Sequence, residues 1–199
     1  MVAWFVSNCN ARNNRLQYAK ELAKHIQVGH IHIKHQLENL SQVDIYGSCG
    51  SLKCPRRDSE CMEMLKTYKF YLAFENSNCR DYVTEKLFMN ALQNGVVPIV
   101  MGASVEDYAA IAPPHSFLHV DNYNNPADLA KHLEILANDE KLYNEFLEWR
   151  TQGEWLRTRF FCRVCAMLHY HQEHGPSTGV EGGWGQWWSG KGVCTAAGS

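Results

Sequence analysis

The stretch "AFENSNCRDYVTEKL", residues 73–87, decides how the rest of the chain is read. It sets carboxylates, amides, hydroxyls, a phenol, an arginine and a lysine between two apolar segments. The segment before it, "YKFYLAFEN" (68–76), has the aromatic-rich composition of a strand. In the segment after it, Val83, Leu87, Ala91 and Leu92 recur at helical spacing as far as Gly95, a C-cap residue. The pattern predicts a strand, a polar loop and a helix over 81–95, with Asp81 as the N-cap.

The same alternation continues on both sides. Upstream, "VAWFV" (2–6) reads as a strand and "SNCNARNN" as a polar turn. A helix over 15–26 follows, with Leu16, Ala19, Leu22, Ala23 and Ile26 on one face. "VDIYG" (43–47) is the next strand, closed by a glycine turn. Downstream come a buried strand "VVPIVMG" (96–102), a short strand "SFLHV" (116–120), a helix from Pro126 to Asn138 and another from Glu140 to Arg150. Strands alternating with helices predict an α/β fold, a Rossmann-like, mostly parallel sheet with helices on both faces. Ligands of such sheets sit beyond the carboxyl ends of the strands, where "SNCNARNN" and "ENSNCRD" both lie.

Residues 1–174 read as one domain, with "VGHIHIKHQLENLSQ" (28–42) as an atypical insertion. Its His30, His32 and His35 are read as part of a solvated insertion in preference to a metal site. Residues 175–199, glycine-rich with three tryptophans and no period, read as an irregular, disordered tail.

A net charge of −2 and a pI near 6.5 give no global field for nucleic acid or an anionic membrane. An anionic ligand must then be held by a few local cations. No apolar run approaches the ~20 residues of a membrane span. The start "MVAWFVSNCN" reads as a core strand with no signal peptide, so the native chain is expected to begin earlier.

Eight cysteines in 199 residues point to scattered disulfides and an oxidising compartment. Zinc at Cys162 and Cys165 is the alternative, but Cys49-x4-Cys54 is too wide to supply the second knuckle. "CRVC" as a redox motif would sit at the wrong place in the chain. Cys9 and Cys49 follow strands at the same sheet edge and are expected to bridge, with Cys79 a competitor for Cys9; Cys54 and Cys61 enclose a short loop suited to a second bridge.

The polar cluster suits an anion. A helix N-terminus presents unpaired N–H groups and the positive end of the dipole. Lys86 adds a full charge there, Tyr82 a hydroxyl and Glu85 an acceptor for ribose hydroxyls, while Arg15 approaches from the neighbouring loop. Glu85 and Lys86 are adjacent and expected to have separate partners. Taken singly, Lys86 is an ordinary solvated lysine and Glu85 an ordinary first-turn acid; only their convergence with Arg15 gives a diphosphate site. Neither GxGxxG nor GxxxxGK[ST] occurs, nor GxSxG or HExxH, which argues against dinucleotide oxidoreductases, P-loop enzymes, α/β-hydrolases and zincins. The residues by themselves reach a nucleotide-diphosphate-binding domain of the secretory pathway.

From Tyr68 to Arg150, with "FYLAFENS", "DYVTEK" and "VVPIV" in order, the chain resembles the α1,3-fucosyltransferases of glycosyltransferase family 10. "SNCNARNNRLQYAKEL", "VDIYGSCG" and "CRVCAMLH" are most similar to invertebrate members that act on the innermost N-acetylglucosamine of N-glycans. The resemblance implies the C-terminal half of a GT-B glycosyltransferase, inverting, with GDP-fucose as donor and an N-glycan or glycoprotein as acceptor. It implies diphosphate contacts at Arg15 and Lys86, a phosphate-binding Tyr82, a ribose-binding Glu85, and Glu75 and Asn76 lining the donor cleft. It implies no required cofactor or metal, with Mn2+ at most stimulatory. The general base belongs to an N-terminal acceptor domain outside this chain, and the whole protein is expected to be a type II protein anchored in the Golgi membrane and facing the lumen. Cys162 and Cys165 would tie the C-terminal helix to that domain. Residues 28–42 and the chain after about His174 have no counterpart in the resemblance and read as gene-model or splicing products. Two other functions fit the same motifs: a truncated GDP-binding module without transfer, and a related protein O-fucosyltransferase.

Overall fold

A computed structural model describes residues 1–26, 43–55, 59–153, 155, 159–175, 185–187 and 190–195. The stretch 28–42, with its three histidines, lies outside the described residues.

Five strands, β1 (Val2–Phe5), β2 (Val43–Tyr46), β3 (Phe70–Phe74), β5 (Val97–Met101) and β6 (Leu118–His119), form a wholly parallel sheet in the order β2-β1-β3-β5-β6. Two further two-residue strands, β4 (Asn78–Cys79) and β7 (Cys194–Thr195), pair antiparallel with each other. Alternation along each central strand splits its side chains between two cores. Val2, Trp4, Phe70, Leu72, Phe74, Val97, Ile99 and Met101 face α1 (Arg15–His25) and α4 (Pro126–Asn138), which supply Ala19, Leu22, Leu129 and Leu133. Ala3, Tyr71, Ala73 and Val100 face the other way. They meet Leu65 of α2 (Ser59–Leu65), Leu87, Ala91 and Leu92, and Tyr108 of α3 (Val105–Ile111). Both sheet faces are covered, which is why the central strands read as continuous apolar runs. Each fully buried Leu, Ile or Phe in these layers contributes about 1.5–3 kcal/mol.

Pro98 lies inside a central strand, a position proline usually avoids. Val97 N–H donates to Lys69 O on the β3 side, so the next amide position faces β6, and β6 pairs only with Ile99 and Val100. The missing donor falls where the ladder has not begun.

The structure corrects several boundaries. The helix expected over 81–95 begins only at Lys86. It runs as a π-helix over Lys86–Ala91 and a 3-10 turn over Leu92–Asn94, closed by Gly95 at φ 70°. Asp81 does not cap it: its backbone is left-handed at φ 60°, and residues 81–84 form a turn stapled elsewhere. The helix expected over 140–150 stops as α5 (Glu140–Glu145) and resumes as a 3-10 turn over Glu148–Thr151. In the tail, expected to be irregular, β7 pairs with β4 and Arg80 N–H donates to Val193 O at 2.8 Å.

Three disulfides join Cys9 to Cys49, Cys54 to Cys61 and Cys79 to Cys194. The first two are the expected pairs; Cys79 takes Cys194 instead of competing for Cys9. Cys162 and Cys165 are free and exposed on α6 (Phe160–His174). Non-reducing peptide mapping should return these three bridges with Cys162 and Cys165 alkylated. Recovery of Cys9 joined to Cys79, or of eight free thiols, would contradict the arrangement.

Candidate functional site

The sheet order singles out one crevice. After β1 the chain crosses residues 6–14 to α1 on one face; after β3 it crosses residues 75–85 to the Lys86–Asn94 segment on the other. Adjacent parallel strands whose connections diverge leave a cleft beyond their carboxyl ends, the usual ligand position of open α/β sheets.

Glu75, the first residue beyond β3, is fully buried at the root of this cleft. A buried carboxylate is costly unless it is paired and hydrogen-bonded. Its Oε1 accepts from the Thr84 N–H at 2.8 Å, and the Thr84 hydroxyl lies 2.8 and 3.1 Å from its two oxygens. Its Oε2 accepts from Lys86 Nζ at 2.7 Å, and Lys86 Nζ also donates to Thr84 Oγ1 at 2.7 Å. The turn 81–85 is thus folded back onto Glu75, which accounts for the late start of the helix.

Arg15 opens α1 and is 3% exposed. Its Nη1 donates to Phe74 O at 2.7 Å and its Nη2 to Asn8 O at 2.9 Å, while the guanidinium lies over the Trp4 ring at 5.7 Å. The guanidinium therefore ties the end of β3 to the loop after β1. Burial lowers its pKa, and the Glu75 carboxylate acts in the opposite sense by favouring the charged form. Asn13 adds a second tie, with Nδ2 donating to Glu75 O at 3.0 Å and to Asn78 Oδ1 at 2.9 Å. One carboxylate between two cations leaves the Arg15–Glu75–Lys86 cluster net positive.

Gly102, just past β5, makes the packing possible. A Cβ there would lie 2.7 Å from the Cβ of Glu75, so any side chain would push the carboxylate out of place. Beside this point opens a cavity of about 600 Å³.

The other predicted site residues surround the cluster. Asn76 is half-buried directly after Glu75, and Tyr82 is half-buried with its N–H donating to Cys79 O at 3.2 Å. Glu85 is exposed at the rim. Its Oε1 lies 3.9 Å from Lys86 Nζ, so the two are weakly paired after all, but the shorter Lys86 contact is to Glu75. Sequence reasoning missed Asn13, Thr84 and Gly102. Thr84 stands inside the quoted motif, but no spacing rule shows that it would close onto a residue nine positions earlier. Among the described residues, no group of three or more His, Cys, Asp or Glu is placed to hold a metal ion.

Comparison with known proteins identifies the relatives of this chain. The sequence profile described as "Glycosyltransferase family 10 (fucosyltransferase) C-term" matches residues 1–36 and 29–180. The chain is 50% identical over 197 residues to glycoprotein 3-alpha-L-fucosyltransferase A of Drosophila melanogaster, covering 98% of this chain and 36% of that protein. It is 41% identical over 168 residues to alpha-(1,3)-fucosyltransferase C of the same organism, covering 84% of this chain and 35% of that one. The 98% span includes residues after His174, which corrects the expectation that the tail has no counterpart. A crystal structure of an alpha1,3-fucosyltransferase with GDP-fucose superimposes with a TM-score of 0.58 at 25% identity, over 74% of this chain and 38% of that one. The chain spans about a third of the length of the curated relatives it matches. It belongs to glycosyltransferase family 10, the fucosyltransferases, and corresponds to the C-terminal part of that family.

Proposed function

We propose that this chain is the donor-binding part of an enzyme that moves fucose from GDP-fucose, with inversion, to the 3-hydroxyl of N-acetylglucosamine, the innermost one of N-glycans. The observation that carries the reading is the net-positive Arg15–Glu75–Lys86 cluster at the cleft between β1 and β3. A diphosphate entering that cleft meets Lys86 directly, while the buried Arg15 adds charge from behind it. Tyr82 offers a hydroxyl to a phosphate, Glu85 at the rim accepts from ribose hydroxyls, and Glu75 with Asn76 shapes the floor. The acceptor assignment is supported by the similarity to a protein named glycoprotein 3-alpha-L-fucosyltransferase A.

In the proposed reaction the bond between C1 of fucose and the GDP oxygen breaks as the acceptor oxygen bonds to C1 from the opposite face. Negative charge grows on the departing diphosphate, and fixed cations in a partly dry cleft stabilise it more in the transition state than in the ground state. The acceptor hydroxyl loses its proton to a base on the far side of C1, which we assign to the acceptor domain of the longer protein. That protein is proposed to be Golgi-anchored and lumenal; among the described residues no helix is long and apolar enough to cross a membrane.

Lys86→Ala should weaken GDP by about 1.5–3 kcal/mol, the range for a lost charge-assisted hydrogen bond. Because that change strands a buried carboxylate, the double variant Glu75→Gln, Lys86→Met is the cleaner probe. It should keep a cooperative thermal transition yet lose GDP affinity by calorimetry, and parent-like binding by both variants would remove Lys86 from the site. Arg15→Lys should not restore what Arg15→Ala loses, since an ammonium cannot span Phe74 O and Asn8 O with the planar fork of a guanidinium.

EDTA should leave GDP binding intact, with the cations of the protein neutralising the leaving group; loss on chelation with recovery in Mn2+ would refute this. The 199-residue chain alone should at most hydrolyse GDP-fucose slowly. A missing general base typically costs ~10²–10⁴-fold, and lost acceptor positioning costs more. A version extended at its N-terminus should fucosylate defined N-glycans, whereas robust transfer by the short chain would place the base within it.

A further inference from the structure

We infer that the segment 190–195, held by the Cys79–Cys194 bridge, is a strap that forms the outer wall of the nucleoside end of the donor site, so that Cys194 is a positioning residue for the nucleotide. The inference rests on the donor-site reading above and extends it to a part of the chain that reading does not use.

Three observations converge on it. The strap is joined to the site loop by main chain as well as sulfur. Asn78 and Cys79 pair with Thr195 and Cys194, and Arg80 N–H donates to Val193 O at 2.8 Å. The loop it grips is the one whose next turn carries Tyr82, Thr84 and Lys86, and Asn78 is also held by Asn13. Second, the strap is packed: Val193 is buried, at 7% exposure, although no other described apolar residue beyond Phe146 is. Third, the cavity of about 600 Å³ lies between the strap and the sheet edge. Gly192, Val193 and Thr195 line one side of it; Gly102, Ser104 and Asp107 line the other.

The volume falls in the range of small-molecule sites. Its position next to Gly102 puts it within one strand of the diphosphate cluster, on the β5 and β6 side. A diphosphate lying on Lys86, with its ribose against Glu85 at the rim, would reach the cavity with its base directed along the sheet edge. Asp107 is fixed there by its own bonds, its Oδ2 accepting from Ser104 N–H and Asp81 N–H at 3.2 Å each. The far wall is held by these bonds, whereas among the described residues the near wall depends on segment 190–195 and one disulfide.

This division gives a test that separates a positioning role from a merely structural one. Inorganic pyrophosphate needs only the cation cluster, and GDP needs the cluster and the cavity. The full 199-residue chain, its Cys194→Ser variant and its Cys79→Ser, Cys194→Ser variant are titrated with both ligands by calorimetry, with thermal unfolding followed in parallel. The expected result is a loss of GDP affinity on the order of tenfold or more in both variants, with pyrophosphate affinity unchanged. The Val193→Asp variant, which keeps the bridge but charges the buried face of the strap, should show the same split. GDP binding equal to the parent in all three variants would overturn the inference while leaving the donor site standing. An equal loss of both ligands would also overturn it, by showing that the bridge only holds the loop together. A parent chain that binds neither ligand would overturn the donor-site reading itself and the strap with it.

Discussion

The buried Glu75 carboxylate organises the carboxyl edge of this sheet. It sits one residue beyond a central strand with no exposure, and nothing apolar could replace its bonds to Thr84 and Lys86. Those bonds fold residues 81–85 back over the strand end. The helix that follows must then start at Lys86 and take up slack as a π-turn before it meets the sheet. π-turns of this kind frequently accompany functional sites. Gly102 is the complementary constraint, since only the absence of a Cβ lets the carboxylate reach its place. Removing one partner of such a pair generally costs more than the pair itself is worth, because the remaining charge stays buried.

Arg15 plays a different part from Lys86, although the motif suggests two equivalent cations. Arg15 is spent on two main-chain carbonyls and a tryptophan face, so it acts as a clamp across the loops that also carries charge. Lys86 has one short ionic partner and partial exposure, and so remains able to turn toward an incoming anion.

Much of this was legible in the sequence. Aromatic and β-branched runs locate the central strands, and the apolar spacing of 15–26 and 126–138 locates α1 and α4, because burial on known faces fixes those periods. The position of the two polar loops at one edge follows from strand–helix alternation alone. The closure of the 81–85 turn was not legible: the periodicity of Val83, Leu87 and Ala91 favours a helix from residue 81, and the Glu75–Thr84 contact that interrupts it has no local signature. The seat of Cys194 was equally hidden. A two-residue strand has no period, and a cysteine 115 positions from its partner can be paired only in three dimensions.

The central claim is that the crevice between β1 and β3 holds a nucleoside diphosphate on Lys86. A crystal structure of the chain with GDP measures this directly. The account predicts β-phosphate oxygens within hydrogen-bonding distance of Lys86 Nζ, Glu75 still buried beneath it, and Arg15 unmoved on Phe74 O. Diphosphate bound elsewhere, with the Glu75–Lys86 pair undisturbed and solvent alone in the crevice, would contradict it.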